Sequence, residues 1–183
     1  MEQRLAGTPE HLTVATLTPD DLTDEHWAQL TGGDDDPFEV AAAGVQLQWR
    51  DKDRYIALLD GDRMVARAGV VVAPITAGDV TLDVVGFGGV IVAKDQRGGG
   101  LARAVMTEAT AFAATLEPSI AMLFCLPSRV GLYTKLGWRE IPDPVTVEQP
   151  DAPHTMADRA MWLPLRTGAA LPAGPVNLHS LPF

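Results

Sequence analysis

The residues best placed to do chemistry lie near the middle of the chain, where an apolar β-branched run is followed by a polar bend and three consecutive glycines. Such a run is typical of a strand. After the glycines, apolar residues recur every three to four positions, which predicts an amphipathic helix over about 98–116. The residues of interest in this strand, turn and helix start are Val90, Ile91, Val92, Arg97, Gly98, Gly99, Gly100, Leu101 and Ala102.

This order of elements predicts an anion site at the start of the helix. The first backbone N–H groups of a helix have no intrahelical acceptor, and the helix dipole places partial positive charge there. Glycine has no Cβ, so a phosphate can approach the backbone closely, and Arg97 adds a cation that can bind phosphate oxygens in a bidentate manner. We therefore predict that residues 97–102, the glycine turn, bind a diphosphate.

Two common nucleotide motifs do not fit the glycine turn. A Walker loop requires Gly-Lys-Ser/Thr, whereas Gly100 is followed by Leu101. A dinucleotide fingerprint would need a glycine where this chain has Ile91. The remaining pattern, Arg-x-x-Gly-x-Ala from Arg97 to Ala102, resembles the acyl-CoA pyrophosphate loop of the GCN5-related N-acetyltransferase (GNAT) family. A glycine-rich turn that binds nothing is the alternative at this point.

A second motif lies one helix and one strand further along. Leu132-Tyr133, followed by Gly137-Trp138, resembles the tyrosine signature of the same family, with tryptophan in the place of its phenylalanine. Two motifs in the expected order identify the chain as a member of the family over about residues 10–165. The resemblance implies a mixed α/β fold, with a V-splayed sheet that binds acetyl-CoA between two parallel strands.

The resemblance also implies roles for particular residues. Backbone groups of Val90 and Val92 would hold the pantetheine arm, the amides of the glycine turn would bind the pyrophosphate, and Tyr133 would protonate the departing thiolate. A phenol suits that last role because it stays protonated at neutral pH. A backbone N–H near a bulge in the same strand would stabilise the oxyanion. The alternative for Tyr133 is an aromatic anchor that packs its helix.

More narrowly, the residues after the tyrosine resemble the branch that contains the aminoglycoside 2′-N-acetyltransferases. The shared features are Gly137-Trp138, Pro144-Val145-Thr146-Val147, Leu163-Pro164-Leu165 and the aromatic terminus. In two places the chain departs from that branch: Gly88 stands where the branch has a glutamate, and Asp158 is only an approximate counterpart of a second acidic residue. We therefore expect a small-molecule primary amine as acceptor, with an aminoglycoside as the alternative.

Acidic groups are the candidates for the acceptor side of the site. Asp83, Asp158 and the terminal carboxylate of Phe183 are predicted to bind substrate, and these three, Glu39 or a chain of waters could act as general base. Cys125 has no evident histidine partner, so a small buried residue is favoured over an acyl-carrying nucleophile. A module that binds acyl-CoA without catalysis is the alternative from another functional class.

The sequence predicts one α/β domain that positions these residues. Strands are predicted at 11–17, 54–59, 63–72, 80–93, 120–126, 138–147 and 158–165, and helices at 19–31, 38–45, 98–116 and 129–136. A turn is predicted at 74–79, after the hairpin that Asp60-Gly61-Asp62 closes. The glycines at 86, 88 and 89 interrupt the strand that enters the glycine turn, which predicts either a bulge or close packing.

The amino-acid composition restricts the classes of partner that the chain is expected to bind. The 183 residues suit a single domain over 1–183, with a core over about 11–165 and a tail, 166–183, that packs back on it. A formal net charge of −10 argues against nucleic acid, which needs a basic face, and suits a cationic amine. The single cysteine, the lack of a membrane-spanning apolar run and the lack of metal-ligand spacing predict a cytoplasmic protein without metal. A homodimer stays open.

Overall fold

Elements begin and end close to the turn-forming residues of the sequence. The computed structural model describes residues 7–38 and 47–183. The helices in these residues are α1 (Asp24–Thr31), α2 (Leu101–Ala113) and α3 (Val130–Lys135). The strands are β1 (Thr13–Leu17), β2 (Arg54–Asp60), β3 (Arg63–Ala77), β4 (Val80–Val92), β5 (Ile120–Cys125), β6 (Arg139–Glu140), β7 (Val145–Val147), β8 (His154–Thr155), β9 (Arg159–Pro164) and β10 (Val176–Leu178).

These elements group into two compact units, and the long strands β3 and β4 pass through both. Among the described residues, the first unit comprises 7–38, 52–70 and 89–112. The second unit comprises 47–51, 71–88 and 113–183. That residues 1–183 form a single domain stays a prediction.

In the first unit, β1, β2 and the first half of β3 form an antiparallel sheet. Tyr55 of β2 pairs with Gly69 of β3, and Ala57 pairs with Arg67. The last part of β4 adjoins β3 in this unit, because the Ala93 N–H donates to a β3 carbonyl. An apolar cluster packs α1 on these strands through Leu30, Ala57, Met64, Ile91 and Ala93.

The second unit contains a mixed sheet, which confirms the predicted α/β fold class. Its strand order is β6-β9-β5-β4-β3-β10-β7-β8. Val85–Phe87 of β4 run parallel to Ala121–Leu123 of β5, and β7 runs parallel to β10. The other registered pairs, β10 with β3, β5 with β9, β6 with β9 and β7 with β8, are antiparallel. The parallel β4–β5 pair is the arrangement that a crossover helix between them predicts.

The predicted helix from residue 19 to 31 is wrong in its first turn. The Thr18 backbone N–H and hydroxyl both donate to the Asp21 carboxylate at 2.7 Å, which closes a single 3-10 turn over Pro19–Asp21. Thr23, in extended conformation, then caps α1 by accepting a hydrogen bond from the His26 N–H. A second Thr cap therefore divides what the sequence pattern indicated as one helix. The helix predicted at 38–45, and Glu39 within it, fall outside the described residues.

The predicted turn at 74–79 is also wrong, since β3 continues through Pro74 to Ala77. Pro74 needs no N–H partner there, and its carbonyl accepts a hydrogen bond from the His179 N–H at 3.0 Å. The tail at 166–183, in which no strand is predicted, supplies β10, which pairs with Ile75–Ala77. The turn itself occupies only Gly78 and Asp79, with Gly78 at a φ of +55°.

The strand predicted at 138–147 is broken in the middle. Pro142 and Pro144 cannot donate to a strand ladder, so the chain leaves the sheet between them. The first piece becomes β6, which pairs with β9, and the second becomes β7, which lies between β10 and β8.

Candidate active site

The glycine turn joins a 3-10 turn over Lys94–Gln96 to the start of α2, and its glycines are exposed. Gly98 and Gly100 have φ values of +85° and +83°, and a Cβ on either would meet no atom within 4 Å. The first hydrogen bond of α2 runs from the Ala104 N–H to the Gly100 carbonyl at 3.1 Å. The N–H groups of Leu101 and Ala102 precede this bond and have no intrahelical acceptor. The turn therefore presents backbone donors, at the positive end of a helix dipole, beside open space.

Strand β4 brings its backbone to the glycine turn in a defined orientation. The Ala93 N–H donates to the Val65 carbonyl of β3 at 2.8 Å. Backbone groups of successive strand residues point to opposite edges, so Val92 and Val90 direct theirs away from β3. The Arg97 Nε–H donates to the Val92 carbonyl at 3.3 Å, as this orientation requires. An extended ligand could pair with Val90 in strand fashion at that edge.

An ion pair holds the bend before the glycine turn. Arg63 Nη2 of β3 lies 2.6 Å from Asp95 Oδ1. The hydrogen bond from Arg63 lowers the pKa of Asp95, and the same bond raises the pKa of Arg63. Because both side chains are exposed, the pair adds little stability, and its main effect is to orient the bend.

The glycines of β4 have separate reasons for being glycine. Gly89 has a φ of +59°, which interrupts the extended backbone just before Val90 and fits the predicted bulge. Gly86 is explained by close packing, because a Cβ there would lie 2.5 Å from Cδ1 of the Phe183 ring. The sequence left both explanations open; close packing applies at Gly86, and a bulge at Gly89 stays a prediction.

Tyr133 lies in α3 with 8% of its surface exposed. Its ring makes an edge contact with Trp138 at a centroid distance of 6.2 Å, and Trp138 in turn contacts Phe87 at 5.2 Å. Burial, with a smaller contribution from Cys125, raises the pKa of Tyr133 to about 12. The phenol is therefore protonated at neutral pH, as a proton donor must be. The indole N–H of Trp138 is buried without a hydrogen-bond partner among the described residues.

Cys125, at the end of β5, lies near Tyr133 and also near Asp158. Cys125 pairs with Arg159 across the β5–β9 ladder, which brings the preceding Asp158 beside it. Burial raises the pKa of the Cys125 thiol to about 11, and the negative charges of Asp158 and Glu140 contribute. Burial also raises the pKa of Asp158. The thiol is protonated at neutral pH, and the Cys125 Sγ contacts Met161 Sδ at 3.9 Å, which suits a packing residue.

The other two predicted substrate-binding residues are Asp83 and Phe183, and they differ in burial. Asp83 is exposed on β4. The Phe183 ring belongs to the apolar core of the second unit, 2% exposed, and contacts Phe124 at 5.5 Å. Its side chain therefore anchors the tail, whereas binding of substrate by its carboxylate stays a prediction.

Sequence reasoning missed Arg67, a buried cation in the first unit. Its guanidinium carbon lies 4.7 Å from the Tyr55 ring centroid and 5.0 Å from that of Trp27. The signal was present in the sequence, because Arg67 is the single charge in the apolar run 64–73. Within the described residues, no group of histidine, cysteine or acidic side chains is arranged to hold a metal, and no helix could span a membrane.

Comparisons with known sequences agree with the two motifs. A profile described as an acetyltransferase (GNAT) domain matches residues 22–141. A search of curated protein sequences finds no significant match.

Several solved structures share the fold. The Escherichia coli GNAT family N-acetyltransferase YhbS, solved with CoA, is 16% identical with a TM-score of 0.58, and the match covers 92% of this chain and 90% of that chain. A GNAT family acetyltransferase from Brucella melitensis, solved with acetyl-CoA, is 14% identical with a TM-score of 0.54, covering 92% and 96%. The Escherichia coli ribosomal-protein-S18-alanine N-acetyltransferase is 18% identical with a TM-score of 0.54, covering 86% and 96%. Because the domain profile spans well over half of the sequence, the chain belongs to the GNAT family of acetyltransferases.

Proposed function

We propose that this protein transfers the acetyl group of acetyl-CoA directly to a primary amine of a small molecule. The observation that carries the proposal is the glycine turn, where backbone donors at the start of α2 face open space beside Gly98 and Gly100. Solved structures of the same fold contain CoA or acetyl-CoA, which supports the same cosubstrate here.

The glycine turn fits a diphosphate. The N–H groups of Leu101 and Ala102 would bind its oxygens, and the Nη atoms of Arg97 would add a charge-assisted contact. The backbone of Val90 and Val92 would pair with the amides of the pantetheine arm. Acetyl-CoA supplies an acetyl group activated as a thioester, and the remaining chemistry is proton transfer by the protein.

Tyr133 and Asp158 are the residues that we assign to those proton transfers. Asp158 would accept the proton that the amine nitrogen loses as it bonds to the acetyl carbon. A raised pKa makes its carboxylate a stronger base. Tyr133 would donate its phenol proton to the sulfur as the carbon–sulfur bond breaks. Proton transfer through water would then restore both groups.

The choice of acceptor follows from the charge of the chain and from its sequence motifs. A net charge of −10 suits an amine, and a small molecule is the acceptor we favour. An aminoglycoside remains the narrower alternative from the sequence motifs after Tyr133. A protein N-terminus is a further class to test, since one structural relative is an N-acetyltransferase of a ribosomal-protein alanine.

A thiol-release screen tests the function. Purified protein with acetyl-CoA is assayed against polyamines, amino acids, peptide N-termini and aminoglycosides, with mass spectrometry of the products. The proposal expects CoA release that depends on one amine class and an acetylated amine as product. Acetyl-CoA binding without turnover on any class would favour the non-catalytic acyl-CoA-binding alternative.

A further inference from the structure

Arg67 has an unusual environment in the first unit. It lies in the middle of β3 opposite the small residue Ala57, and only 9% of its surface is exposed. The Tyr55 and Trp27 rings contact its guanidinium at centroid distances of 4.7 and 5.0 Å, within the range of cation–π attraction. Trp27 itself is 37% exposed and in contact with Phe38, so one wall of this clamp borders solvent.

Within residues 7–38 and 47–183, the guanidinium of Arg67 has no anionic partner. Its Nε is buried without a hydrogen bond, and among the described residues no carboxylate forms a salt bridge with it. This is notable in a chain with 24 acidic residues and 14 basic ones. Burial lowers the pKa of Arg67, yet a guanidinium stays charged at neutral pH. A buried charge without a counter-ion is costly, and aromatic faces offset only part of that cost.

The clamp belongs to the same unit as the glycine turn. Val65, two residues before Arg67 on β3, accepts the hydrogen bond from Ala93 at the point where β4 approaches the turn. Gly89, at the irregular point of β4, is the neighbour of Tyr55, since a Cβ on Gly89 would lie 4.0 Å from Tyr55 Cε1. Arg67 is thus built into the strands that present the predicted acetyl-CoA backbone contacts.

We propose that Arg67, in contact with the Tyr55 and Trp27 rings, binds a carboxylate of the acceptor, so that the preferred acceptor carries both an amine and a carboxylate. That the bound molecule is the acceptor rests on the proposed function, whereas the binding of a carboxylate by Arg67 does not. A guanidinium forms paired, charge-assisted hydrogen bonds with a carboxylate, and the buried Nε is one of the donors such a pair uses. A polycationic aminoglycoside offers no such group.

The binding is tested by nuclear magnetic resonance without any turnover. The Nε–H signal of Arg67 is assigned as the one that Arg67→Lys loses, and wild-type protein is titrated with propionate and, separately, with propionamide. We expect a saturable shift of that signal with propionate and a preference over the amide of about 10–100-fold. Absence of a saturable shift, or equal shifts with both compounds, would overturn the proposal.

Two control experiments test whether the Arg67 guanidinium binds a carboxylate of this chain or a phosphate of the cosubstrate instead. Residues 1–6 and 39–46, which lie outside the described ranges, contain two acidic residues, Glu2 and Glu39, so the double variant Glu2→Gln with Glu39→Gln tests whether the chain supplies its own carboxylate. We expect the propionate titration to be the same in the double variant, and binding seen only in that variant would overturn the proposal. Arg67→Met should leave acetyl-CoA affinity within about threefold of wild type. A larger loss would assign Arg67 to a phosphate of the cosubstrate.

Turnover assays then test whether the acceptor carries a carboxylate. With paired acid and amide forms of the same small amines, kcat/KM should favour the acid by about 10–100-fold in wild type and lose that preference in Arg67→Met. If the protein binds no acetyl-CoA, the proposed function fails, whereas the propionate titration still reports on Arg67. If acetyl-CoA turns over and amides react as well as acids in wild type, this inference alone fails.

Discussion

Replacing Tyr133 by phenylalanine removes one hydroxyl and leaves the packing in place. The ring keeps its edge contact with Trp138, so we expect the fold and the acetyl-CoA affinity to be unchanged at neutral pH. If the phenol donates the proton to the departing thiolate, turnover should fall by about 10²–10⁴. Steady-state thiol release and calorimetric titration with acetyl-CoA measure the two effects separately.

The same variant has a stability signature that follows from its burial. The pKa of Tyr133 is raised from 10.0 to about 12, so above pH 10 the unfolded chain ionises this tyrosine while the folded chain does not. Stability from this group is therefore complete below pH 10 and is lost as the pH rises toward 12. At about 1.36 kcal/mol for each pKa unit, the loss is about 1.4 kcal/mol at about pH 11 and about 2.7 kcal/mol in all. Tyr133→Phe should lack that part of the alkaline decline in denaturant unfolding.

Two results would refute this reasoning. Equal turnover in Tyr133→Phe and wild type would leave Tyr133 as a packing residue. An alkaline decline of the same size in both proteins would show that the phenol is not buried as described.

Three further substitutions test the packing at Gly86 and the roles of Asp158 and Cys125. Gly86→Ala should lower the free energy of unfolding by about 1–3 kcal/mol, because the added Cβ would meet the Phe183 ring. Gly131→Ala is the matched control, since a Cβ there would have no atom within 4 Å. Equal free energies of unfolding in the two variants would contradict that packing. Asp158→Asn should lower kcat/KM by about 10²–10⁴ and remove the acidic limb of the pH profile of kcat/KM. In wild type that limb should lie above the ordinary carboxyl pKa, because burial raises the pKa of Asp158. A limb that is retained in Asp158→Asn would exclude Asp158 as the base. Cys125→Ala should change turnover by less than about threefold, because the thiol is protonated at neutral pH, and a tenfold loss would argue against direct transfer.

Local sequence signals predicted the elements that enclose the glycine turn. The β-branched run of β4, the glycines at 98–100 and the apolar periodicity of α2 each indicate the same local structure, and no distant contact is needed to form it. The parallel pairing of β4 with β5 followed from the crossover between them. Tyr133 was singled out by its motif, although its buried position depends on Trp138.

Long-range contacts decided the parts that the sequence did not predict. Pro74 was interpreted as a turn residue, but pairing with β10, about a hundred residues later, keeps it in β3. The buried position of Phe183 depends on the missing side chain of Gly86, which local patterns cannot show. Arg67 looks like an interruption in an apolar strand until the contacts of its guanidinium with the Trp27 and Tyr55 rings are seen.

Calorimetric titration of wild type and Gly100→Asp with acetyl-CoA tests whether the glycine turn binds the diphosphate. Gly168→Asp is the matched control, because Gly168 has a φ of +81° against +83° for Gly100, and neither has an atom within 4 Å of an added Cβ. We predict saturable binding by wild type and by Gly168→Asp, and its loss in Gly100→Asp, where a carboxylate would face the phosphates. No binding by wild type, or unchanged affinity in Gly100→Asp, would contradict this prediction.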